Sequence, residues 1–317
     1  MKISVVIPSF EPGRYLNEAV KSVTNQSGKF EVIEIIIIDD QSKDVETLSV
    51  YEELSENPLV KLLKNHGNRG SAVARNIGLH CAKCEWVIFL DADDILLPGS
   101  IQSRVSLLRE NPKILWCGGD FVQFDDQSGV FGDPYFESRL DKYDFLVPAF
   151  NSENKMLVWE NPIQSFLKMT PANTSVIMAA RSILLQAGGF DEDLKMQQDL
   201  HLFLRLALRY DYGFIAKPLM ANRQHLKNTT ASQVATNFWA IKALNKIKKL
   251  PEFSLYQKML NAKIANNYIS NAYILQQSSK YKEALVSSLG AVECRPLYIK
   301  SWEILLSSIL RLVFPFS

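Results

Sequence analysis

The chain has 317 residues, 47% of them hydrophobic, and its 35 basic side chains nearly cancel 34 acidic ones to leave a net charge of +1. That is enough apolar material for a full globular core, either one large α/β domain or a domain with an appendage, and it excludes a disordered or fibrous chain. No stretch reaches the roughly eighteen apolar residues that span a bilayer, and the start Met1-Lys2-Ile3-Ser4-Val5-Val6-Ile7-Pro8 is too short for a signal peptide, so a cytoplasmic protein is expected.

Along the chain, apolar β-rich runs at Ile3 to Ile7, Val32 to Ile38, Val60 to Leu63 and Trp86 to Leu90 alternate with helix-period segments at Arg14 to Val23, Val45 to Leu54 and Ser71 to Cys81. Such alternation predicts parallel strands joined by crossover helices. The run from Val32 to Ile38 is almost wholly apolar, as a central strand covered on both faces must be. From Gly119 to about Thr170 the periodicity is lost among Asp, Gly, Pro and aromatic residues, the place for an insertion that shapes a substrate site. Order returns with a short strand at Thr174 to Met178, a loop Gly188-Gly189-Phe190-Asp191 and an amphipathic helix from about Gln197 to Arg209. Two further strands are expected at Tyr212 to Ala216 and Leu219 to Arg223. From Ala231 on the chain reads as helices broken near Pro251, Ser278 and Pro296, which divides it into residues 1–230 and a helical extension, 231–317. The stretch from Ala284 to Leu306 has a helix-turn-helix look, but it has no second copy at a fixed period.

Four cysteines, Cys81, Cys84, Cys117 and Cys294, are too few and scattered for a disulfide framework. Cys81 and Cys84 form a C-x-x-C with no second pair at zinc spacing, and they read as structural.

The chemistry gathers at strand ends. The run Trp86 to Leu90 stops abruptly at Asp91-Ala92-Asp93-Asp94. A buried strand delivering carboxylates to a cleft mouth suits a hard cation, Mg2+ or Mn2+, with coordination positions left for substrate phosphates. A surface turn that caps a helix starting near Pro98 would use the same residues. The first strand ends in Pro8-Ser9-Phe10-Glu11 and the second in Asp39-Asp40-Gln41-Ser42. In an open parallel sheet ligands bind outside the carboxyl ends of the strands, so polar clusters at three strand ends favour a functional site over turn chemistry. Between the third and fourth strands, Gly70 lets the backbone approach a ligand, and Arg75 stands one turn into the next helix, in reach of a phosphate or base. A Rossmann G-x-G-x-x-G and a P-loop are both missing, so metal is left to hold the phosphates.

These residues resemble the inverting family 2 glycosyltransferases, which have the GT-A fold. The resemblance rests on Val5-Val6-Ile7-Pro8-Ser9-Phe10, on Ile38-Asp39-Asp40-Gln41-Ser42-Lys43-Asp44 and on Gly70 through Gly78. It continues with Phe89-Leu90-Asp91-Ala92-Asp93-Asp94, and with Gly188-Gly189-Phe190-Asp191-Glu192 followed by Gln198-Asp199. Together these span about residues 3 to 227, in the family's order and spacing. The resemblance implies an α/β fold with a mostly parallel sheet flanked by helices and, here, a C-terminal helical extension. It implies a nucleotide pocket of Pro8, Ser9, Glu11, Asp39, Arg75, Asp91 and Ala92, with Asp39 on the base, Arg75 helping to hold the nucleotide and Asp91 on the ribose or a metal-bound water. Asp93 and His225 would bind Mn2+ or Mg2+, and Asp199 would be the catalytic base. Two departures from the family's pattern, Glu11 in place of a common Asn and Gln198 before Asp199 in place of an acidic pair, bear on donor identity. Asp199 would otherwise complement its helix dipole, and His225 would be a hydrogen-bonded loop residue.

The implied partners are a nucleotide-diphosphate sugar, most simply a UDP-sugar, and a saccharide or lipid-linked acceptor; no nucleic acid is implied. A transferase-like module without turnover, acting through its tail, is the alternative. From Ala231 on, eleven Lys and Arg face four Glu and no Asp, a charge of +7 that leaves −6 for the rest. Lys242, Lys246, Lys248 and Lys249, with the apolar end from Ile304 to Phe316, suggest peripheral contact with an anionic membrane, whereas a solvated helical cap or a homodimer contact would have the same composition.

Overall fold

The computed structural model describes residues 1–67, 69–225 and 232–314. The chain divides into two units, Met1–Asp193 with Leu202–His225, and Leu194–His201 with Leu226–Ser317.

The first unit begins with the expected alternation: β1 (Lys2–Ser9), α1 (Tyr15–Thr24), β2 (Glu31–Asp39), α2 (Val45–Ser55), β3 (Val60–Lys64), α3 (Ser71–Cys81) and β4 (Trp86–Phe89). These strands are parallel in the order β3-β2-β1-β4. Ile35 to Ile38 and Val5 to Ile7 are fully buried, which is why both strands are apolar at consecutive positions rather than alternate ones. The order places a switch point at β1, where the chain moves out through β2 and β3 and returns on the other side at β4. A crevice beyond the strand ends is expected there. Gly78 lets α3 lie close on β1, since a Cβ at this position would stand 2.2 Å from Val6 Cγ1.

The remainder of the sheet is mixed. It adds β5 (Ile95–Leu96), α4 (Ser100–Glu110), β6 (Trp116–Asp125), α5 (Val147–Asn151), β7 (Met156–Trp159), α6 (Ile163–Lys168), β8 (Met178–Ala180), α7 (Arg181–Gln186), α8 (Gln198–Arg209) and β9 (Tyr212–Gln224). The full order is β3-β2-β1-β4-β8-β6-β9-β5, with β7 paired to β9. Beyond β4, among the described residues, only β6 and β9 pair in parallel.

Three expectations are corrected here. The region beyond Gly119 is not irregular throughout, because β6 runs on to Asp125 and α5, β7 and α6 follow. The strand expected at Thr174 to Met178 is a 3-10 turn, Thr174–Val176, whose Asn173 side chain accepts from Ser175 N, and the strand follows at Met178. The two strands expected after Tyr212 are one, β9, interrupted by a bulge that shifts its pairing from Gly119 with Ile215 to Asp120 with Pro218. A bulge is where a strand tolerates proline.

The second unit holds α9 (Gln233–Lys248), α10 (Gln257–Gln277), α11 (Tyr281–Cys294) and α12 (Ile299–Val313), with a 3-10 segment Pro251–Tyr256. Its interior carries polar contacts between helices. Asn237 Nδ2 donates to Asn271 Oδ1 at 2.9 Å, and Gln276 Nε2 reaches Ser308 Oγ at 2.8 Å, itself 2.7 Å from Ser288 Oγ. Among the described residues no helix is long and apolar enough to cross a membrane.

Candidate active site

The register of β1 on β2 sets Ser9 beside Asp39 at the carboxyl edge of the sheet. Asp39 is buried, and its Oδ1 accepts from Ser42 N at 2.8 Å and from the Tyr51 hydroxyl at 3.1 Å. Tyr51 Oη is also 2.8 Å from Ser9 Oγ and 3.2 Å from Ser42 Oγ. Ser42 Oγ in turn accepts from Glu11 N at 2.9 Å and so fixes the loop after β1, where Glu11 holds a left-handed φ of 49° and exposes its side chain. Pro8 is buried in β1 beside Ile38. Burial, together with the Asp39 charge and against the two serine hydrogen bonds, pushes the Tyr51 hydroxyl well above the usual phenol range, so it stays a donor.

Asp40, one residue on, works in the opposite direction. Its Oδ1 accepts from Asn65 Nδ2 at 2.7 Å and Arg69 N at 3.1 Å, and its Oδ2 from Gly70 N at 2.7 Å. This carboxylate ties down the loop that leads into α3. Arg75, one turn into α3, is buried and donates to Asp91 Oδ1 at 2.6 Å and Ser71 Oγ at 3.2 Å, with its guanidinium 5.4 Å from the Phe190 ring centroid. The glycine-rich loop after α7 is held by Asn76, which exchanges two 2.8 Å hydrogen bonds with the Phe190 backbone. Gly189 has a φ of 63° and passes so close to Asn76 that a Cβ would stand 2.5 Å from its Oδ1.

After β4, residues 91–94 fold into a turn closed by Asp94 N on Asp91 O at 3.1 Å. Ala92 is buried, and the three carboxylates diverge. Asp91 faces Arg75. Asp93 Oδ2 lies 2.9 Å from His225 Nε2. Asp94 points inward and accepts from Ser175 Oγ, Asn222 Nδ2 and Arg223 N. Burial first, and then the Asp91 charge, push the Asp93 carboxyl up against the opposing hydrogen bond of His225; burial and both neighbours push Asp94 well up. Among the described residues no three His, Cys, Asp or Glu side chains are arranged to hold a metal ion, and Asp93 and His225, expected to bind one, meet each other as a pair.

Arg223, at the end of β9, positions this edge. Its Nε donates to the Asp93 carbonyl at 3.0 Å, and its two terminal nitrogens reach Asp126 and Glu18 at 2.5 Å each. The guanidinium lies between the rings of Tyr15 and Phe124, at 4.3 and 4.6 Å, and Tyr15 stacks on His225 at 5.5 Å. The turn expected from Asp91 onward therefore does occur, but it serves to aim its carboxylates; the helix after Pro98 is capped by Gly99.

Asp199 stands in the first turn of α8 and belongs to the second unit; its Oδ1 accepts from Leu200 N at 2.8 Å. Gln197, just before this helix, holds a left-handed φ of 60°. The sequence names Asp40 and Asp94 only as members of strand-end clusters, and it gives no role to Tyr51 or Arg223. Tyr51 offered one signal, since a tyrosine on the apolar face of a helix needs a partner for its hydroxyl.

Asp39 at the end of β2, Asp91 and Asp93 just after β4 and the buried Arg75 thus gather at the switch point of a parallel sheet, the place where ligands of such sheets bind. The family model described as "Glycosyl transferase family 2" matches residues 4–159. An uncharacterized glycosyltransferase of Haemophilus influenzae is 28% identical over 239 residues, which cover 73% of this chain and 71% of that protein. The poly(ribitol-phosphate) beta-N-acetylglucosaminyltransferase TarP of Staphylococcus aureus is 40% identical over 119 residues, so the match spans only 36% of TarP and 37% of this chain. Among solved structures, S. aureus TarS 1-349 in complex with UDP-GlcNAc superposes with a TM-score of 0.67 at 16% identity, covering 97% of this chain and 89% of that one, which shows a shared fold. Residues 4–159 form a family 2 glycosyl transferase domain, and the chain has the GT-A fold and is a glycosyltransferase.

Proposed function

We propose that the protein moves a sugar from a UDP-sugar to a hydroxyl of a saccharide or lipid-linked acceptor, with inversion at the anomeric carbon. The observation that carries this reading is Asp39: with Oδ1 tied to Ser42 N and Tyr51, its other oxygen has no protein partner among the described residues and remains to accept an imide N–H of a base. Ser9 and Glu11 flank it, and Arg75 and Asp91 form a 2.6 Å ion pair between the base pocket and Asp93. Asp93 offers a carboxylate oxygen, a donor that suits Mn2+ or Mg2+ when substrate phosphates complete the set, and His225 Nε2 lies beside it as a second donor for the softer Mn2+. A bound cation there would supply neutralisation of charge on the diphosphate. Asp199 takes the proton from the acceptor hydroxyl, whose oxygen attacks the anomeric carbon opposite the departing diphosphate.

Thermal unfolding with UDP, GDP, CMP or dTDP, each with and without Mn2+, tests the donor site. A ligand at 100 times its dissociation constant stabilises a fold by about 2.7 kcal/mol. The expected result is a Mn2+-dependent shift with UDP that Asp93→Asn abolishes. A larger shift with GDP would change the donor, and no shift with any nucleotide would favour the module without turnover.

We also place a lipid-linked acceptor at an anionic membrane reached through α12. Trp302, Leu306, Leu310 and Val313 line an exposed stripe of this helix beside Lys300 and Arg311, while its inner side buries Ser301, Leu305 and Ser308. The +7 charge from Ala231 on favours anionic lipid over a second copy of the same basic surface. Sedimentation with phosphatidylglycerol vesicles should exceed that with phosphatidylcholine and should fall with salt. Equal pelleting in both would remove this assignment.

A further inference from the structure

We propose that Tyr51 is a positioning residue that sets the base specificity of the donor site by holding Asp39 in one orientation as an acceptor. This rests on the donor-site reading given above and goes beyond it by assigning discrimination to a side chain from α2 rather than to the strand ends.

The hydrogen-bond wiring has one consistent solution. Asp39 Oδ1 receives the Tyr51 proton at 3.1 Å, so the Tyr51 oxygen must accept where it meets Ser9 Oγ at 2.8 Å and Ser42 Oγ at 3.2 Å. Both serine hydroxyls then donate to Tyr51, which leaves Ser42 Oγ a lone pair for Glu11 N. All four side chains Ser9, Asp39, Ser42 and Tyr51 are buried, so no alternative partner in bulk water competes. Every donor within this network points toward Asp39 Oδ1, directly or through Tyr51, and none is aimed at Oδ2.

The consequence is chemical. A carboxylate whose second oxygen is fixed and acceptor-only welcomes the N3–H of uracil or thymine. It rejects cytosine, which presents a lone pair at that position, because two acceptors would face each other at a buried carboxylate. Without the Tyr51 hydroxyl, Asp39 keeps only the Ser42 N–H on Oδ1 and can turn, and the Ser9 and Ser42 hydroxyls lose their acceptor and become free to serve either base. Discrimination should therefore suffer along with affinity.

The test is the binding of UDP and of CDP, in the presence of Mn2+, to the wild-type chain, Tyr51→Phe and Asp39→Asn, with the unfolding temperature of each recorded. Tyr51→Phe keeps the ring and so should stay folded. It is expected to bind UDP on the order of tenfold more weakly and to lose on the order of tenfold in the ratio of UDP to CDP affinity, the scale of one hydrogen bond to a charged group. A purely structural tyrosine would lower the unfolding temperature without moving that ratio. If Asp39→Asn abolishes the preference for UDP while Tyr51→Phe leaves the ratio at the wild-type value, the positioning role is overturned and the donor site stands. If Asp39→Asn matches wild type, or wild type binds neither nucleotide, the donor-site reading itself fails and the proposal falls with it.

Discussion

Asp199→Asn should lower turnover by about 10²- to 10⁴-fold while leaving UDP binding intact, because a single general base contributes on that scale and Asn cannot take a proton. The substitution is nearly isosteric, and its amide oxygen can still accept from Leu200 N as Asp199 Oδ1 does at 2.8 Å. A helix-dipole role predicts something else. An acid in the first turn of α8 contributes about 0.3 to 1 kcal/mol of stability, so its loss would shift unfolding slightly and leave turnover alone. Steady-state kinetics with a fixed UDP-sugar and a saccharide acceptor, run beside thermal unfolding, separates the two. Normal turnover in the Asn variant would remove Asp199 as the base.

What could be read in the sequence and what could not divide along physical lines. β1, β2 and β4 announce themselves because strands covered on both faces carry nearly continuous apolar runs, and the polar residues that end or follow those runs, Ser9, Asp39 and Asp91, are then forced to the sheet edge. β6 was hidden by its own glycines. The sequence reads as irregular from Gly119 on, yet a Cβ at Gly118 would stand 2.4 Å from the Tyr212 hydroxyl and one at Gly119 would be 2.6 Å from the Ile215 carbonyl, so close packing on β9 requires both glycines. Asp120 completes the disguise: it is a buried strand residue whose carboxylate accepts backbone N–H bonds from Phe121, Phe136 and Glu137. The site shows the same split. Apart from Arg75 in α3 and Asp199 in α8, the residues that would touch the ligand lie at or just beyond strand ends, where topology alone points to them. The residues that aim them, Tyr51, Asp94 and Arg223, come from elements distant in sequence, and only the folded arrangement brings their bonds together.

Asp94→Ala should be the most damaging change at this edge of the sheet, although Asp94 touches no substrate in the proposed reaction. The side chain is 1% exposed and satisfies three buried donors: Ser175 Oγ at 2.7 Å, Asn222 Nδ2 at 2.9 Å and Arg223 N at 3.3 Å. Each buried donor left unmet costs about 1 to 3 kcal/mol, so the combined loss should reach roughly 3 kcal/mol or more, a large fraction of the stability of an ordinary domain. Urea unfolding should show a much lower midpoint with an unchanged slope. Asp94→Asn isolates the cause. Its oxygen can keep the bonds from Asn222 and Arg223 while its amide donates to Ser175 Oγ, which reverses that one hydrogen bond without breaking it, so a loss below about 1 kcal/mol is expected. The functional consequence follows from the same contacts. Asn222 and Arg223 lie in the last three residues of β9, which ends at Gln224 just before His225, so Asp94 sets where His225 stands against Asp93 at 2.9 Å, and Ser175 Oγ also receives Asp91 N at 3.1 Å. The Ala variant, at temperatures where it remains folded, should therefore lose the Mn2+-dependent part of UDP binding, and the Asn variant should keep it. An Ala variant with wild-type stability would mean that water replaces the carboxylate among these donors and that the turn is held by Arg223 alone.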